Sequence, residues 1–164
     1  RAYGSFTWDD EGVRGLRKSL IEKGETGLLH TRLTAKDDEK PGNAHGITHI
    51  PRPTVSNVYI RPSDWGLKEM FEDTKNGIYI KVLVRAEVDT SDGKFELVPE
   101  IAYLIQNKEL KTPIKQLSIR DSIRNAIQRV DAIGKLATLR PNLEKGFCIS
   151  EGGPHIRING IHCF

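Results

Sequence analysis

The sequence predicts an α+β fold, a mainly antiparallel β-sheet with hairpins and about two covering helices. The first observation behind this prediction is the stretch 88–119, where apolar segments are separated by turn signals at 90–93 and 107–109. Asp and Ser hydrogen-bond their own backbone in such turns and Gly accepts positive φ, so three consecutive strands are expected. The second observation is the helical spacing of apolar residues in two segments, 67–74 and 119–130.

The length of the chain predicts one domain. Its 164 residues are close to the usual size of a single domain and can bury a sizeable core, so we expect one domain over 1–164. The chain begins at Arg1 without a Met, and 1–6 has neither the charged nor the apolar part of a signal peptide. This start predicts a piece cut from a longer protein.

Charge and cysteine content exclude several classes of protein. The net charge is +3 and the signs alternate closely, as in 36–40, so we expect no direct nucleic-acid partner. No apolar run approaches the ~20 residues that span a bilayer, so we expect no membrane partner. Cys148 and Cys163 are too few for a disulfide framework and lack CxxC spacing, which favours a cytoplasmic location and leaves open one bridge between them.

The N-terminal segments predict an exposed loop and a hairpin. Residues 4–13 place three adjacent carboxylates after two aromatic residues, which is typical of a loop. Two apolar segments follow at 16–21 and 28–33. The segment 23–27 between them contains Gly, so the pattern predicts a hairpin with a Gly-containing loop.

Residues 35–54 are the most polar and the richest in Pro and Gly, and they predict a long surface loop. Loops of this length inside a compact domain are uncommon and often bind ligands, with a disordered connection as the alternative. The alternation of residues 55–61 then predicts a strand.

A first helix is predicted to begin after Ser63 or Asp64, which can cap it, and to end at 76–77, where Gly suits a left-handed C-terminal position. The residues at helical spacing are Leu67, Met70, Phe71 and Thr74. Residues 78–84 are rich in β-branched side chains and predict a buried strand.

A second helix is predicted over about 121–132, covering the sheet and stopped by Gly134. Its apolar stripe consists of Ile119, Ile123, Ala126, Ile127 and Val130. Farther along, 152–154 (Gly-Gly-Pro) predicts a tight turn, and the alternation of 155–163 predicts a strand.

Two histidines and one cysteine are the candidate metal ligands. His45 and His49 have the i, i+4 spacing that zinc ligands use on a helix, but Gly46 and Pro51 argue against a helix, and no Glu follows His45 as a HExxH site requires. An ordinary loop is the favoured interpretation, with a site completed from elsewhere in the fold as the alternative. Cys148 lies between two apolar residues, which predicts a small buried hydrophobe, and a soft metal ligand is the alternative.

Asp9, Asp10 and Glu11 could supply a general base or a site for a hard cation, because neighbouring carboxylates raise one another's pKa. A solvated turn is the favoured interpretation. The pair 152–153 is no phosphate-binding loop, since no Lys followed by Ser or Thr comes after it, and the GxSxG pattern is absent from the sequence. The residues alone therefore predict no self-sufficient catalytic set.

Several short motifs resemble those of one family. Residues 4–6 (GSF) and 9–13 (DDEGV) resemble the signature of the TldD/PmbA family, whose members have been labelled modulators of DNA gyrase and are regarded as metallopeptidases. Further matches follow in the family's order: LIEKG at 20–24, GN at 42–43, PRP at 51–53 with Asn57, VDTSDGKF at 88–95, AYLI at 102–105, PI at 113–114 and GPHIRI at 153–158. The resemblance covers nearly the whole chain.

This resemblance implies the C-terminal region of a zinc metallopeptidase that acts on unfolded peptides as a homo- or heterodimer. It implies that the HExxxH zinc helix lies upstream of Arg1, so we expect no catalytic residue in this chain and no zinc bound by it alone. The catalytic type also has a thiolate ligand before a KxGQ segment. Aligning 145–147 with that segment places Cys148 after it and the ligand position near Asn142. The departure favours a PmbA-type partner subunit without zinc, or a divergent homologue.

The matching motifs also imply where substrate binds. We expect the loops 9–12, 42–53 and 145–154 to project from the sheet of 88–119 and to carry the site, whereas the carboxylates of 88–119 lie in turns and on the surface. The expected substrate-binding residues are Asp9, Asp10, Glu11, Arg52 and Asn57.

Overall fold

The computed structural model describes residues 2–46 and 50–164, and that part of the chain contains fourteen strands and two short helices. The predicted α+β fold is confirmed. In chain order the elements are β1 (Ile21–Glu22), β2 (Glu25–Thr26), β3 (Ala44–His45), β4 (Arg52–Pro53), β5 (Asn57–Tyr59), α1 (Leu67–Asp73), β6 (Asn76–Val88), β7 (Lys94–Gln106), β8 (Glu109–Ile114), β9 (Ile119–Ser122), α2 (Ile123–Gln128), β10 (Val130–Ile133), β11 (Thr138–Glu144), β12 (Phe147–Gly153), β13 (Ile156–Ile158) and β14 (His162–Cys163).

The chain divides into two compact units. The first unit comprises the described residues of 1–60 together with 138–152, and the second unit comprises 61–137 together with 153–164. A single domain over 1–164 remains a prediction. No helix among the described residues is long and apolar enough to cross a membrane.

The first unit is built from short strands. β1 pairs with β2, β3 pairs with β4, and β11, β12 and β5 form a sheet in which β12 runs parallel to β5. The predicted hairpin exists but is shorter: β1 keeps only the last residue of the predicted segment 16–21, and β2 lies inside the segment expected to be the loop. Lys23 and Gly24 form the turn with φ of 53° and 85°, and two residues with positive φ match the twist of a tight hairpin. The apolar segment 28–33 is not a strand.

The second unit is organised around the hairpin of β6 and β7, as the stretch 88–119 predicts. Its sheet has the order β14, β9, β7, β6, and β8 also pairs with β7. Ala102, Leu117 and Ile119 form the buried core of this sheet. β6 is longer than the predicted 78–84, and the prediction that it is buried is wrong: each of its residues is at least partly exposed, because it lies at the edge of the sheet.

The first helix differs from its prediction at both ends. α1 begins after Gly66 rather than Ser63 or Asp64, because the Glu69 carboxylate at the third helical position accepts the Gly66 N–H. It ends at Asp73, because the C-cap residue Thr74 is extended. Gly77 is therefore a residue of β6 and not a left-handed helix cap.

The second helix is half as long as predicted. α2 covers only 123–128, with Ser122 Oγ accepting the Asn125 N–H at 3.2 Å, while its predicted ends are β9 and β10. Strand pairing explains the difference, since Ile119 pairs with Leu97 of β7. The predicted apolar stripe is not a buried face. Ile119 and Ala126 are buried and Val130 is half-buried, but Ile123 and Ile127 are exposed.

The predicted tight turn at 152–154 is wrong for its two glycines, which end strand β12. Gly152 pairs with Tyr59 of β5, and a Cβ at this position would lie 2.0 Å from the Thr138 carbonyl oxygen. Close approach of neighbouring backbone therefore requires glycine here. The strand predicted over 155–163 is present as two shorter strands, β13 and β14.

Candidate functional site

Asp9 is a buried residue that fixes the backbone around it. Its side chain is only 6% exposed. Oδ1 accepts the N–H groups of Glu11 at 3.0 Å and Val13 at 2.8 Å, and Oδ2 accepts the Ala44 N–H at 3.0 Å. The prediction of a solvated turn is wrong for this residue, because three backbone donors replace water around the carboxylate. Asp9 thereby joins the turn at 9–13 to strand β3.

Asp10 and Glu11 are bonded to other segments of the first unit. Asp10 Oδ2 accepts the Gly46 N–H at 2.7 Å, and its own N–H donates to the Ala44 carbonyl at 3.0 Å. Glu11 Oε2 accepts the Arg32 N–H at 2.6 Å. The three adjacent carboxylates therefore hold three backbone segments in place, 11–13, 32 and 44–46.

His45 lies at the end of β3 in an aromatic setting. The Phe6 ring meets its imidazole edge-on with centroids 5.1 Å apart, and the Phe147 ring lies 5.4 Å away. Its Nδ1 is 3.8 Å from Asp10 Oδ2, so the carboxylate lies on the Nδ1 side of the ring. His49, the other predicted ligand, lies outside the described residues.

Arg52 and Asn57 occupy different positions in the first unit. Arg52 is exposed in β4 and pairs in register with His45, so it lies beside the segment that Asp9 and Asp10 hold. Asn57 is bonded to the start of the chain: its Oδ1 accepts the Gly4 N–H at 3.1 Å. The structure thus brings Asp9, Asp10, His45 and Arg52 together and gives Asn57 a separate role.

Cys148 is exposed, so the prediction of a small buried hydrophobe is wrong. Its neighbours in β12, half-buried Phe147 and buried Ile149, lie on the opposite face of the strand from Cys148. Asn142, near which the resemblance predicts the family's thiolate ligand, is exposed in β11 and donates from Nδ2 to Glu151 Oε1 at 3.2 Å.

Two residues that matter in this unit were not found by sequence analysis. Ser150 is 2% exposed, and its Oγ accepts the Tyr3 N–H at 2.9 Å. Lys18 donates from Nζ to the Pro41 carbonyl at 3.0 Å and to Asn43 Oδ1, and burial lowers its pKa. Their partners lie far away in the sequence, so no local pattern marks either residue.

The described residues do not by themselves fit a zinc ion. Within 2–46 and 50–164, no three His, Cys, Asp or Glu side chains lie close enough together to hold a metal. A zinc site requires such a set of nitrogen, sulfur or carboxylate donors. The predicted loops 9–12 and 42–53, in their described part, belong to the first unit, whereas the 88–119 sheet that they were expected to project from belongs to the second.

Comparison with known proteins identifies the family. Residues 1–163 match the family described as PmbA/TldA metallopeptidase C-terminal domain. The chain belongs to this family. It is 38% identical over 156 residues to a metalloprotease from Methanocaldococcus jannaschii, with 92% of this chain and 34% of the relative covered. It is 26% identical over 167 residues to a zinc metalloprotease TldD homolog from Saccharolobus solfataricus, with 94% of this chain and 37% of the relative covered.

The PmbA/TldA chain thus spans about a third of the length of the curated relatives it matches. Its fold is that of a solved member, TldE from Thermococcus kodakarensis, with a TM-score of 0.78 at 20% identity over 96% of this chain and 36% of that one. At this identity the likeness supports the fold alone. The predicted resemblance to the TldD/PmbA family is confirmed.

Proposed function

We propose that this chain is the C-terminal domain of a TldD/PmbA-type zinc metallopeptidase that hydrolyses unfolded peptides. The observation that supports this function most is the 38% identity to a metalloprotease over 92% of the chain. Since the chain spans about a third of that relative, the activity is assigned to the parent protein and not to this domain alone.

The zinc ligands in this proposal come from an HExxxH helix upstream, because the described residues here form no donor set of their own. This domain then forms a wall of the peptide-binding chamber and part of a dimer interface. Extended peptides bind to exposed strand edges by main-chain pairing. The parent protein works in the cytoplasm, without contact to nucleic acid or membrane.

Arg52 is the residue of this chain that we expect to contact the peptide directly. It is exposed in β4, and its guanidinium offers five N–H donors to carbonyl or carboxylate oxygens. Asp9 and Asp10 hold the paired strand β3 through the Ala44 and Gly46 N–H groups, so they position Arg52 without touching substrate.

The test is a peptidase assay of the full-length parent protein on unfolded peptides, with and without a chelator. We expect the chelator to abolish cleavage and added zinc to restore it. Arg52→Ala should raise KM about tenfold, the worth of one charged hydrogen bond, with kcat little changed. Arg140→Ala, an exposed arginine of β11, serves as the matched control. Cleavage that persists in chelator would remove the zinc mechanism.

A second candidate function is a non-catalytic PmbA-type subunit that binds and stabilises a catalytic partner in a heterodimer. The favouring observation is Asn142, whose amide is bonded to Glu151 and which lies near the place where the resemblance implies the family's thiolate ligand. The sequence upstream of Arg1 discriminates between the two functions, because an HExxxH motif there supports the peptidase. Its absence, together with activation of a co-expressed TldD-type subunit, would support the partner.

A further inference from the structure

The first unit contains a pocket that the peptidase proposal does not use. Its volume is about 380 Å³, within the range of small-molecule sites. It is lined by Lys18, Ser19, Thr26, Leu28, His30, Glu39 and Lys40. The lining thus combines two lysines, two hydroxyl residues and a histidine with a single glutamate, a surplus of basic over acidic residues.

The charge of Lys18 is not cancelled by its hydrogen-bond partners. Its Nζ donates to the Pro41 carbonyl and to Asn43 Oδ1, and both acceptors are neutral. Burial lowers the pKa of Lys18, with partial opposition from the charge of Asp9. An ammonium that has lost part of its hydration gains more from an oxyanion than an exposed lysine does.

The single carboxylate of the pocket is already engaged. Glu39 Oε2 accepts the Lys36 N–H at 2.9 Å, and its Oε1 lies 3.5 Å from His30 Nε2. The other nitrogen of this ring, Nδ1, is buried and has no hydrogen-bond partner among the described residues. This nitrogen has no exposed surface and does not reach the pocket, so the consequence for the pocket is that Glu39 is held by partners other than Lys18 and Lys40.

We propose that this pocket binds a small organic oxyanion, a carboxylate held by Lys18 and Lys40 with hydroxyl donors from Ser19 and Thr26. Leu28 contributes an apolar wall, which suits the carbon chain next to a carboxylate better than it suits a free phosphate. The C-terminal carboxylate of a short peptide is one source of this group, and inorganic phosphate is the other source to be tested. The proposal does not rest on the peptidase function.

The test is calorimetric titration of the full-length protein with three probes: N-acetyl-dileucine with a free carboxylate, its C-terminal amide, and inorganic phosphate. We expect the free acid to bind at least about tenfold more tightly than the amide, because the amide lacks the charge that the two lysines bind. Lys18→Met and Lys40→Met should each weaken binding of the acid by about tenfold. Lys68→Met changes a 90% exposed lysine of α1 and should leave binding unchanged.

Two variants are needed because Lys18 also donates a hydrogen bond to the backbone of its own unit. Lys40 is exposed, so Lys40→Met leaves the hydrogen bonds of Lys18 intact. Equal binding of acid and amide, or binding that neither substitution weakens, would overturn the proposal, as would no binding of any probe. Binding of phosphate alone would likewise overturn the proposal, because it would assign the pocket to an inorganic anion and not to an organic carboxylate. None of these outcomes bears on chelator-sensitive cleavage, so the two proposals fail separately.

Discussion

The two units of the chain bury different kinds of residue. In the described part of the first unit, four buried residues are polar or charged: Asp9, Thr31, Asn43 and Ser150. Two apolar residues, Ala44 and Ile149, are also buried there. In the described part of the second unit, the buried hydrophobic residues are Met70, Ala102, Ile105, Leu117, Ile119, Ala126 and Ala132, and no charged or polar residue reaches the same burial.

For Asp9, Thr31 and Asn43, which lie outside the seven-residue strands β11 and β12, the difference follows from strand length. β1 to β5 have two or three residues each, so their ladders satisfy few backbone groups, and side chains such as Asp9 must accept the remaining N–H groups. β6 and β7 have 13 residues each and pair their backbone N–H and C=O groups with one another. The side chains of this sheet can therefore be apolar and stabilise it by packing. Polar bonds to the backbone thus replace a hydrophobic core in the first unit.

The largest expected effect tests this replacement directly. Asp9→Ala removes an acceptor for three backbone N–H groups in a buried site and should lower the free energy of unfolding of the first unit by about 4 kcal/mol. Urea unfolding, followed by Trp8 fluorescence in a Trp65→Phe background, measures the loss. Asp38→Ala, at an exposed position of the same unit, should change stability by less than about 0.5 kcal/mol. If Asp9→Ala lowers the free energy of unfolding by less than about 1 kcal/mol, polar bonds to the backbone do not replace a hydrophobic core in the first unit.

The matching substitution in the second unit is Ile119→Ala. Ile119 is 2% exposed and packs with Ala102 and Leu117, so the cavity should cost about 3 kcal/mol. The readout is Trp65 fluorescence in a Trp8→Phe background. Leu136→Ala, at a side chain that is 79% exposed, is the control. An equal shift of the Trp8 signal in the reverse background would show that the two units unfold together.

The smallest expected effect concerns acid. Hydrogen bonds from Arg157, both at 2.9 Å, and a further one from Asn159 hold the pKa of Asp131 below its usual value. A carboxyl with a lowered pKa stabilises the fold at pH values above its unfolded pKa of about 3.9, and that stability is lost as pH falls through the lower folded value.

We therefore expect the Trp65 unfolding midpoint to fall as pH decreases below about 4, and Asp131→Asn to flatten this dependence. Glu100→Gln alters an exposed carboxyl of β7 and should leave the slope unchanged. The same slope in Asp131→Asn and in the unsubstituted protein would show that other carboxyls carry the acid sensitivity of this unit.

In the second unit, sequence patterns predicted correctly the features that depend on residues close together in the sequence. The turns at 90–93 and 107–109 were predicted because Asp, Gly and Asn supply their geometry within a few residues, and Asn107 has φ of 50°. β9 and β10 were assigned to a helix because Ile119 and Val130 also fit helical spacing. Their partners, Leu97 and Ile158, lie 22 and 28 positions away and decided the outcome.

The first unit was predicted less well for the same reason. The burial of Asp9 depends on the Ala44 N–H, 35 residues away, and no spacing rule connects the two. Resemblance identified the motif that contains Asp9 but not its physical role. The pocket around Lys18 and Lys40 likewise combines residues from separate loops, and nothing in the charge pattern of 36–40 indicated it.

The hydrogen bond from the Tyr3 N–H to Ser150 Oγ joins residues that are 147 positions apart. During synthesis the start of the chain must therefore wait until the whole of 61–137 has been made before the first unit can close. The β6–β7 hairpin needs only a short turn, and local contacts form much faster than distant ones. The start of the chain is therefore synthesised first but is among the last segments to fold.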